Sequence, residues 1–271
     1  MNPPGGGAEA SGGATVLFFH GQPGSARDWT LVQAAIGDRL AMLAIDRPGW
    51  DGRTPAGGLG SSVAAGISAL DGAGARRAVV VGLSFGGAVA ASMAIQHPDR
   101  VAALVLISPA ANTASLQPVD RLLALPIAGY AASAAVLAGA GVALASGAIR
   151  GRLERTFRLP DDYLRTASRR LRSPRAWTAF LVEQRALLAE LPQLEERLGE
   201  IVAPTIVVLG TADTVVPLAA GRQLSRQIPH AELVEIPGGH HVLAAEHPER
   251  LAELILRAAE RVQGADSHTQ A

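Results

Sequence analysis

The chain of 271 residues contains 24 basic residues, all of them arginine, 24 acidic residues and no cysteine. A formal net charge of zero gives no overall attraction to nucleic acid, and the absence of lysine and cysteine excludes Schiff-base, thiol and thiolate-metal chemistry. Hydrophobic residues make up 48% of the chain and charged residues 18%, which is typical of a compact globular protein.

The two ends of the chain lack the patterns of packed structure. Residues 1–13 are rich in glycine, and they contain neither the basic region nor the apolar region of a signal peptide. We therefore expect a flexible leader over 1–13, a flexible tail over 263–271 and a cytoplasmic protein.

Short apolar runs rich in Val, Ile and Leu predict β-strands along the chain. Most of these runs lack alternation between apolar and polar residues, which is typical of strands that are covered on both faces. The predicted strands lie at 14–19, 40–45, 78–83, 102–107, 205–210 and 231–236.

Helical patterns lie between and after these strands. They are centred on 26–36, 61–70, 85–96, 217–228 and 247–262. The alternation of strand and helix predicts an α/β fold, in which a mostly parallel sheet has helices on both faces. We expect its core to comprise residues 14–112 and 201–262.

Residues 113–200 interrupt this alternation with helical patterns alone. An insertion at this point would form a helical cap over the strand ends, where ligands bind in such sheets. Within it, residues 122–149 contain no charged residue, so that a membrane span is one interpretation and a set of buried cap helices is the favoured one. Residues 150–185 carry ten Arg against four acidic residues, which indicates solvated helix faces or a rim for an anionic partner or membrane surface.

A candidate nucleophile lies at the junction of the strand at 78–83 and the helix at 85–96. Gly82, Ser84 and Gly86 match the G-x-S-x-G nucleophile elbow, and the strand before and helix after it are the context that this motif requires. Such a tight turn strains the serine backbone and brings strand and helix together. Only glycine, whose side chain is a hydrogen atom, therefore fits at positions 82 and 86. A structural serine in an ordinary turn is the alternative.

A serine nucleophile needs a base and an acid that orients the base. Asp213 follows the strand at 205–210, although an aspartate there could also serve only to form a turn. Two candidate bases, His240 and His241, follow the strand at 231–236. The order Ser, Asp, His along the chain is that of the hydrolase elbow motif.

Five segments resemble the α/β-hydrolase superfamily, and in particular its capped serine esterases. They occur in the family's order, cover about residues 14–112 and 201–262, and leave the insertion unmatched. The segments are FFHGQPGSARDW, AIDRPGWDGRT, VVVGLSFGG, VLGTADTVVP and IPGGHHVLAAEHPERL.

The resemblance assigns roles that the residues alone leave open. It implies that His241 is the catalytic base, and that His240 replaces a glycine of the usual loop. It also implies an oxyanion hole formed by the backbone N–H groups of Phe85 and Gln22, with His20 as a structural residue that braces the loop. A side-chain amide of Gln22 that projects into the pocket is an alternative role for this residue.

Together these features predict a hydrolase of carboxylic esters that works through an acyl-enzyme, with the triad Ser84, His241 and Asp213 and with no metal or organic cofactor. The expected partner is a small-molecule ester, with no nucleic acid. A lactonase is the first alternative, and a C–C hydrolase or perhydrolase would use the same serine. Two further alternatives are a non-catalytic ligand-binding protein on this fold and a membrane-associated hydrolase.

Overall fold

The computed structural model of the protein describes residues 14–157 and 159–269, with side chains as far as Val262. The predicted leader over 1–13 lies outside the described residues. Six parallel strands form one sheet in the order β2-β1-β3-β4-β5-β6. They are β1 (Thr15–Phe19), β2 (Ala41–Ile45), β3 (Ala78–Leu83), β4 (Val101–Ile107), β5 (Thr205–Gly210) and β6 (Glu232–Ile236). The predicted strands are therefore confirmed to within one residue at each end.

The sheet reverses its direction of growth at β1. From β1 the chain first adds β2 on one side and then crosses to add β3 on the other, with Phe19 of β1 paired to Gly82 of β3. Ligands in open α/β sheets bind outside the carboxyl ends of the strands at such a switch point. The residues that follow β1 and β3 are therefore brought together at a binding crevice.

Helices cover both faces of the sheet, as the alternation predicts. One face packs against α1 (Thr30–Ile36) and α11 (Pro248–Thr269), and the other against α2 (Leu59–Gly72), α3 (Phe85–Gln96) and α9 (Leu218–Gln227). A short helix, α10 (Leu243–Glu246), precedes α11. The predicted α/β fold, a parallel sheet with helices on both faces, is confirmed by this arrangement.

The last helix is longer than the sequence predicts. Helix α11 begins at Pro248, which suits the first turn of a helix because it has no N–H to leave unpaired. It continues to Thr269, beyond the expected end of the core at 262 and into the segment for which we predicted a flexible tail.

The segment between β4 and β5 is helical, as predicted. We call residues 113–200 the helical insertion. Its helices are α4 (Pro118–Leu123), α5 (Pro126–Ala145), α6 (Gly147–Phe157), α7 (Asp161–Leu171) and α8 (Pro174–Glu196). The second half of α8 packs into the core through Leu187, Leu191 and Leu194, so that the insertion and the core share one apolar cluster on that face.

The structure corrects one expectation for the insertion. The uncharged segment 122–149 was expected to form buried cap helices, but only 22% of the most apolar window of α5 is buried. Among the described residues, α5 is the one helix that is long and apolar enough to cross a membrane. Ala and Gly dominate the sequence of α5. Such small side chains let one side of the helix pack closely against its neighbours, and on the other side they expose little apolar area to solvent.

Candidate active site

The serine elbow has the strained geometry that its glycines predict. Ser84 lies between β3 and α3 with φ 53° and ψ −118°, a backbone conformation that side chains rarely adopt. A Cβ on Gly82 would overlap the carbonyl oxygen of Gly86, and a Cβ on Gly86 would overlap that of Phe19. Glycine is therefore required at both positions by the close approach of α3 to β1 and β3.

Backbone hydrogen bonds hold the elbow in place. The Ser84 N–H donates to the carbonyl of Ile107 at 3.0 Å, and the Ser84 carbonyl accepts from the N–H groups of Gly87 at 2.8 Å and Ala110 at 3.1 Å. The neighbouring strand β4 and the loop after it thus fix the strained turn. The strain is supported by surrounding structure, as is common for residues at functional sites.

Asp213 and His241 form a hydrogen-bonded pair. The Nδ1 atom of His241 lies 2.8 Å from Oδ2 of Asp213, and Oδ1 of Asp213 accepts from the N–H groups of Val215 at 2.8 Å and Val216 at 3.0 Å. Burial raises the pKa of Asp213, but these hydrogen bonds outweigh it and hold the pKa below its usual value. The carboxylate is therefore ionised at neutral pH, so that Nδ1 carries the proton and Nε2 is left able to accept one.

The two adjacent histidines have different surroundings. His240 has a side chain that is 64% exposed, and its Nδ1 lies 2.9 Å from Oε1 of Glu246. His241 has a side chain that is 18% exposed and contacts Asp213. The structure thus brings Asp213 together with the histidine that the family resemblance selects.

The loop after β1 lies beside Ser84. A Cβ on Gly21 would stand 3.4 Å from the Cβ of Ser84, and the Gly21 carbonyl accepts hydrogen bonds from Arg47 at 2.9 Å and from the ring of His20 at 2.8 Å. The carbonyl and the N–H of one trans peptide point in opposite directions. The N–H of Gln22 therefore faces away from Arg47, and the Gln22 side chain instead donates to the carbonyl of Phe180 on α8 at 2.7 Å.

The second expected N–H donor belongs to Phe85. This residue begins α3, and the first N–H groups of a helix have no partner within it. The N–H of Phe85 and that of Gln22 lie in the segments that follow β3 and β1, which are neighbours in the sheet.

A buried ion pair joins the core to the insertion behind this loop. Arg47 and Glu183 of α8 are in contact, and both side chains are fully buried. Arg47 also donates to the carbonyl of His20 at 3.1 Å, and its guanidinium lies 4.5 Å from the centre of the Phe85 ring. Trp50 donates to Glu183 at 2.9 Å. One arginine thus contacts the loop after β1, the residue after Ser84 and the insertion.

Burial sets the charge states in this cluster. Burial and the nearby Arg47 charge hold the pKa of His20 well below its usual range, so that His20 is neutral. A neutral ring fits its contacts, because Nδ1 donates to Gly21 while Nε2 accepts from the Arg47 N–H at 3.1 Å. Burial also raises the pKa of Glu183, and the hydrogen bonds from Arg47 and Trp50 oppose that rise. His20 is therefore placed to brace the loop, as the resemblance implies.

Ser84 and His241 line one cavity of about 570 Å³, and residues of the insertion line it with them. Most of the lining is apolar, with Leu153 and Phe157 from α6, Leu159, and Val242 from the loop before α10. Gln22 also lines this cavity. Among the described residues, no group of three or more His, Asp or Glu side chains could hold a metal ion.

Asp28 and Tyr163 form a polar contact in the lining of the cavity. The Tyr163 hydroxyl of α7 donates to Oδ1 of Asp28 at 2.8 Å, and Ser25 donates to the same carboxylate from its hydroxyl and its N–H, each at 3.0 Å. Burial raises the pKa of Asp28, and these hydrogen bonds oppose the rise. This contact ties the insertion to the core at the cavity.

Sequence reasoning did not find Arg47, Glu183, Asp28 or Tyr163. A charged residue inside the apolar run AFLVEQRALL was the one available signal for Glu183. Tyr163 and Asp28 are separated by 135 positions, and nothing local in the sequence indicates that they meet.

Comparison with known proteins assigns the chain to a family. A model described as the alpha/beta hydrolase family matches residues 16–254. A 2-hydroxy-6-oxononadienedioate/2-hydroxy-6-oxononatrienedioate hydrolase of Pseudomonas sp. is 27% identical over 265 residues, which cover 91% of this chain and 88% of that protein. A pimeloyl-[acyl-carrier protein] methyl ester esterase of Yersinia enterocolitica is 23% identical over 266 residues, which cover 90% and 93%.

A solved structure extends the likeness to three dimensions. Est816, described as an N-acyl homoserine lactone degrading enzyme, superposes with a TM-score of 0.67 and 25% identity, covering 90% of this chain and 92% of that one. The names of these three relatives describe different substrates. The chain belongs to the alpha/beta hydrolase family.

Proposed function

We propose that the protein is a serine hydrolase that cleaves carboxylic esters through an acyl-enzyme. The observation that carries the proposal is the pairing of His241 with Asp213 at 2.8 Å in the wall of the cavity that Ser84 also lines. The strained, glycine-flanked backbone of Ser84 supports its role as the nucleophile.

Each step of the reaction has a residue in this proposal. The Ser84 hydroxyl attacks the ester carbonyl while Nε2 of His241 takes its proton. The oxygen that becomes negative accepts hydrogen bonds from the N–H groups of Gln22 and Phe85. His241 then protonates the leaving alcohol, and water attacks the acyl-enzyme with His241 again as the base. Asp213 orients the ring and stabilises its charged form.

The cavity favours an apolar acyl group. Its volume of about 570 Å³ lies in the range of small-molecule sites, and its apolar lining can bury a hydrocarbon chain. Its lining includes the carboxyl group of Asp28, which would disfavour a substrate with a free carboxylate at that end. This argues against the dioate substrate that the name of the Pseudomonas relative describes.

A lactonase is the second candidate. A lactone is a cyclic ester and needs the same nucleophile, base and oxyanion hole, and Est816 is described as acting on N-acyl homoserine lactones. An acyl chain of such a substrate would also suit the apolar lining.

Hydrolysis of p-nitrophenyl esters from acetate to palmitate tests the proposal. We expect turnover by the wild type, and a fall of kcat/KM by about 10⁴-fold or more in Ser84→Ala. Ser92→Ala is the matched control, because Ser92 is a buried serine of the adjacent helix α3. Equal activity of Ser84→Ala and the wild type would refute Ser84 as the nucleophile.

A second arm separates the candidates. Acyl homoserine lactones of matched chain length are compared with the esters on the basis of kcat/KM. A preference for lactones by tenfold or more would favour the lactonase. Saturable binding of esters and lactones with no turnover by the wild type would refute both and favour a ligand-binding protein.

A further inference from the structure

The outer side of α5 is an apolar surface that no described part of the protein covers. Helix α5 contains no charged residue, and its mean hydropathy over the most apolar window is 1.8. Ile127 is 86% exposed and Val142 is 62% exposed. They stand 15 positions apart, which at 100° per residue places them within about 60° of each other on the helix and about 22 Å apart along it.

The opposite side of α5 is packed. Gly129, Ser133, Leu137 and Gly141 recur at every fourth position and are buried, and α5 lies against α7 and α8 on that side. A membrane span would require α5 to leave these neighbours. The helix therefore has one side on the insertion and the other side outward.

The apolar surface continues beyond the start of α5. Leu122 of α4 is 50% exposed, and Leu125, between the two helices, is 47% exposed. We call Leu122, Leu125, Ile127 and Val142 the α5 outer face. A contiguous apolar area of this kind marks an interaction site more often than an ordinary surface.

Arginines border this face. Arg121 is exposed beside Leu122, and Arg185 donates to the carbonyl of Ala124 at 2.9 Å, next to Leu125. The sequence contains no acidic residue between Asp120 and Glu154. The border of the face at the start of α5 is therefore positively charged.

We infer that the α5 outer face docks on the surface of an anionic lipid bilayer. An apolar helix side flanked by cations matches the boundary between acyl chains and anionic headgroups. A second copy of the chain is the other occupant of this face, and the oligomeric state in the test below distinguishes it from a bilayer. The inference does not depend on the proposed esterase activity.

Co-sedimentation with large unilamellar vesicles tests the inference. The probes are vesicles of phosphatidylcholine with phosphatidylglycerol and vesicles of phosphatidylcholine alone. We expect the wild type to bind the anionic vesicles more tightly than the neutral ones, and to bind them less tightly as salt is raised. The variant Ile127→Glu/Val142→Glu should bind the anionic vesicles at least about tenfold more weakly.

The control is Val202→Glu, which changes a valine that is 77% exposed on the core and should bind as the wild type does. A thermal melt of each variant reports folding separately from docking. Absence of vesicle binding by the wild type would overturn the inference, as would equal binding by Ile127→Glu/Val142→Glu. A wild-type dimer in sedimentation equilibrium that this variant makes monomeric would also overturn it, in favour of a second copy.

Discussion

The core sheet and the helical insertion contain equally apolar segments but bury them to different degrees. Every residue of β3, β4 and β5 is buried, whereas 22% of the apolar window of α5 is buried. A central strand has helices on both faces, so that every residue of an apolar run there is buried. An apolar helix in an insertion can lie inside or outside. Apolar composition therefore determines the packing of the core but not that of the insertion.

The two regions also hold the candidate site in different ways. In the core, backbone geometry does so, because the turn at Ser84 is fixed by glycine contacts and by hydrogen bonds to Ile107 and Ala110. The insertion contacts the site through side chains: Glu183 forms an ion pair with Arg47, and Tyr163 donates a hydrogen bond to Asp28. We therefore expect changes in the core to affect the chemical step, and changes in the insertion to affect stability and substrate binding.

The largest expected effect tests the core. Asp213→Asn should lower kcat by about 10⁴-fold with little change in fold, because an amide no longer fixes the proton on Nδ1 of His241. The measurement is steady-state hydrolysis of the best p-nitrophenyl ester together with a thermal melt. Asp38→Asn, in an exposed turn before β2, is the control and should be as active as the wild type. Activity of Asp213→Asn within tenfold of the wild type would remove Asp213 from the mechanism.

The next effect tests the attachment of the insertion. Glu183→Ala leaves the fully buried Arg47 without its partner, and it should reduce the free energy of unfolding by about 3–5 kcal/mol. Arg47→Met/Glu183→Leu removes both charges, so it should be more stable than Glu183→Ala. Urea denaturation of Arg47→Met, Glu183→Leu and their double variant, together with the wild type, gives the coupling energy. A loss below about 1 kcal/mol in Glu183→Ala would mean that this pair does not hold the insertion.

The same contrast explains what sequence reasoning can find. Ser84, Asp213 and His241 each lie in the segment that follows a predicted strand. Parallel strands bring their carboxyl ends to one edge of the sheet, so these segments are expected to meet there. Glu183 could not be found in this way, because an acidic residue in a helix is solvated unless tertiary packing buries it. The exposure of Ile127 is likewise set by how α5 lies on α7 and α8, which no local pattern specifies.

A smaller effect concerns pH and again belongs to the core. The pKa of Asp213 is lower in the folded protein than its usual value, so the unfolded chain binds the proton more tightly. The stabilisation by the ionised carboxylate is therefore fully present above pH about 4 and is lost as the pH falls through the folded pKa. Urea denaturation from pH 7 to pH 3 should show a weaker decline for Asp213→Asn than for the wild type. Parallel declines would show that the folded and unfolded pKa values of Asp213 are the same.

The smallest effect tests the insertion at the cavity. Tyr163→Phe removes the hydrogen bond of 2.8 Å to Asp28, which is worth about 1 kcal/mol, and leaves Asp28 with its two bonds from Ser25. We expect KM for medium-chain esters to rise by about fivefold with kcat unchanged, because the lining of the cavity loosens while the triad does not.

Tyr130→Phe is the matched control for this change, since Tyr130 lies on α5 against Trp177 and does not line the cavity. A fall in kcat for Tyr163→Phe with KM unchanged would contradict the division between the regions, because the insertion would then act on the chemical step. Unchanged values of both would mean that the contact between Tyr163 and Asp28 closes the cavity without contributing to substrate binding.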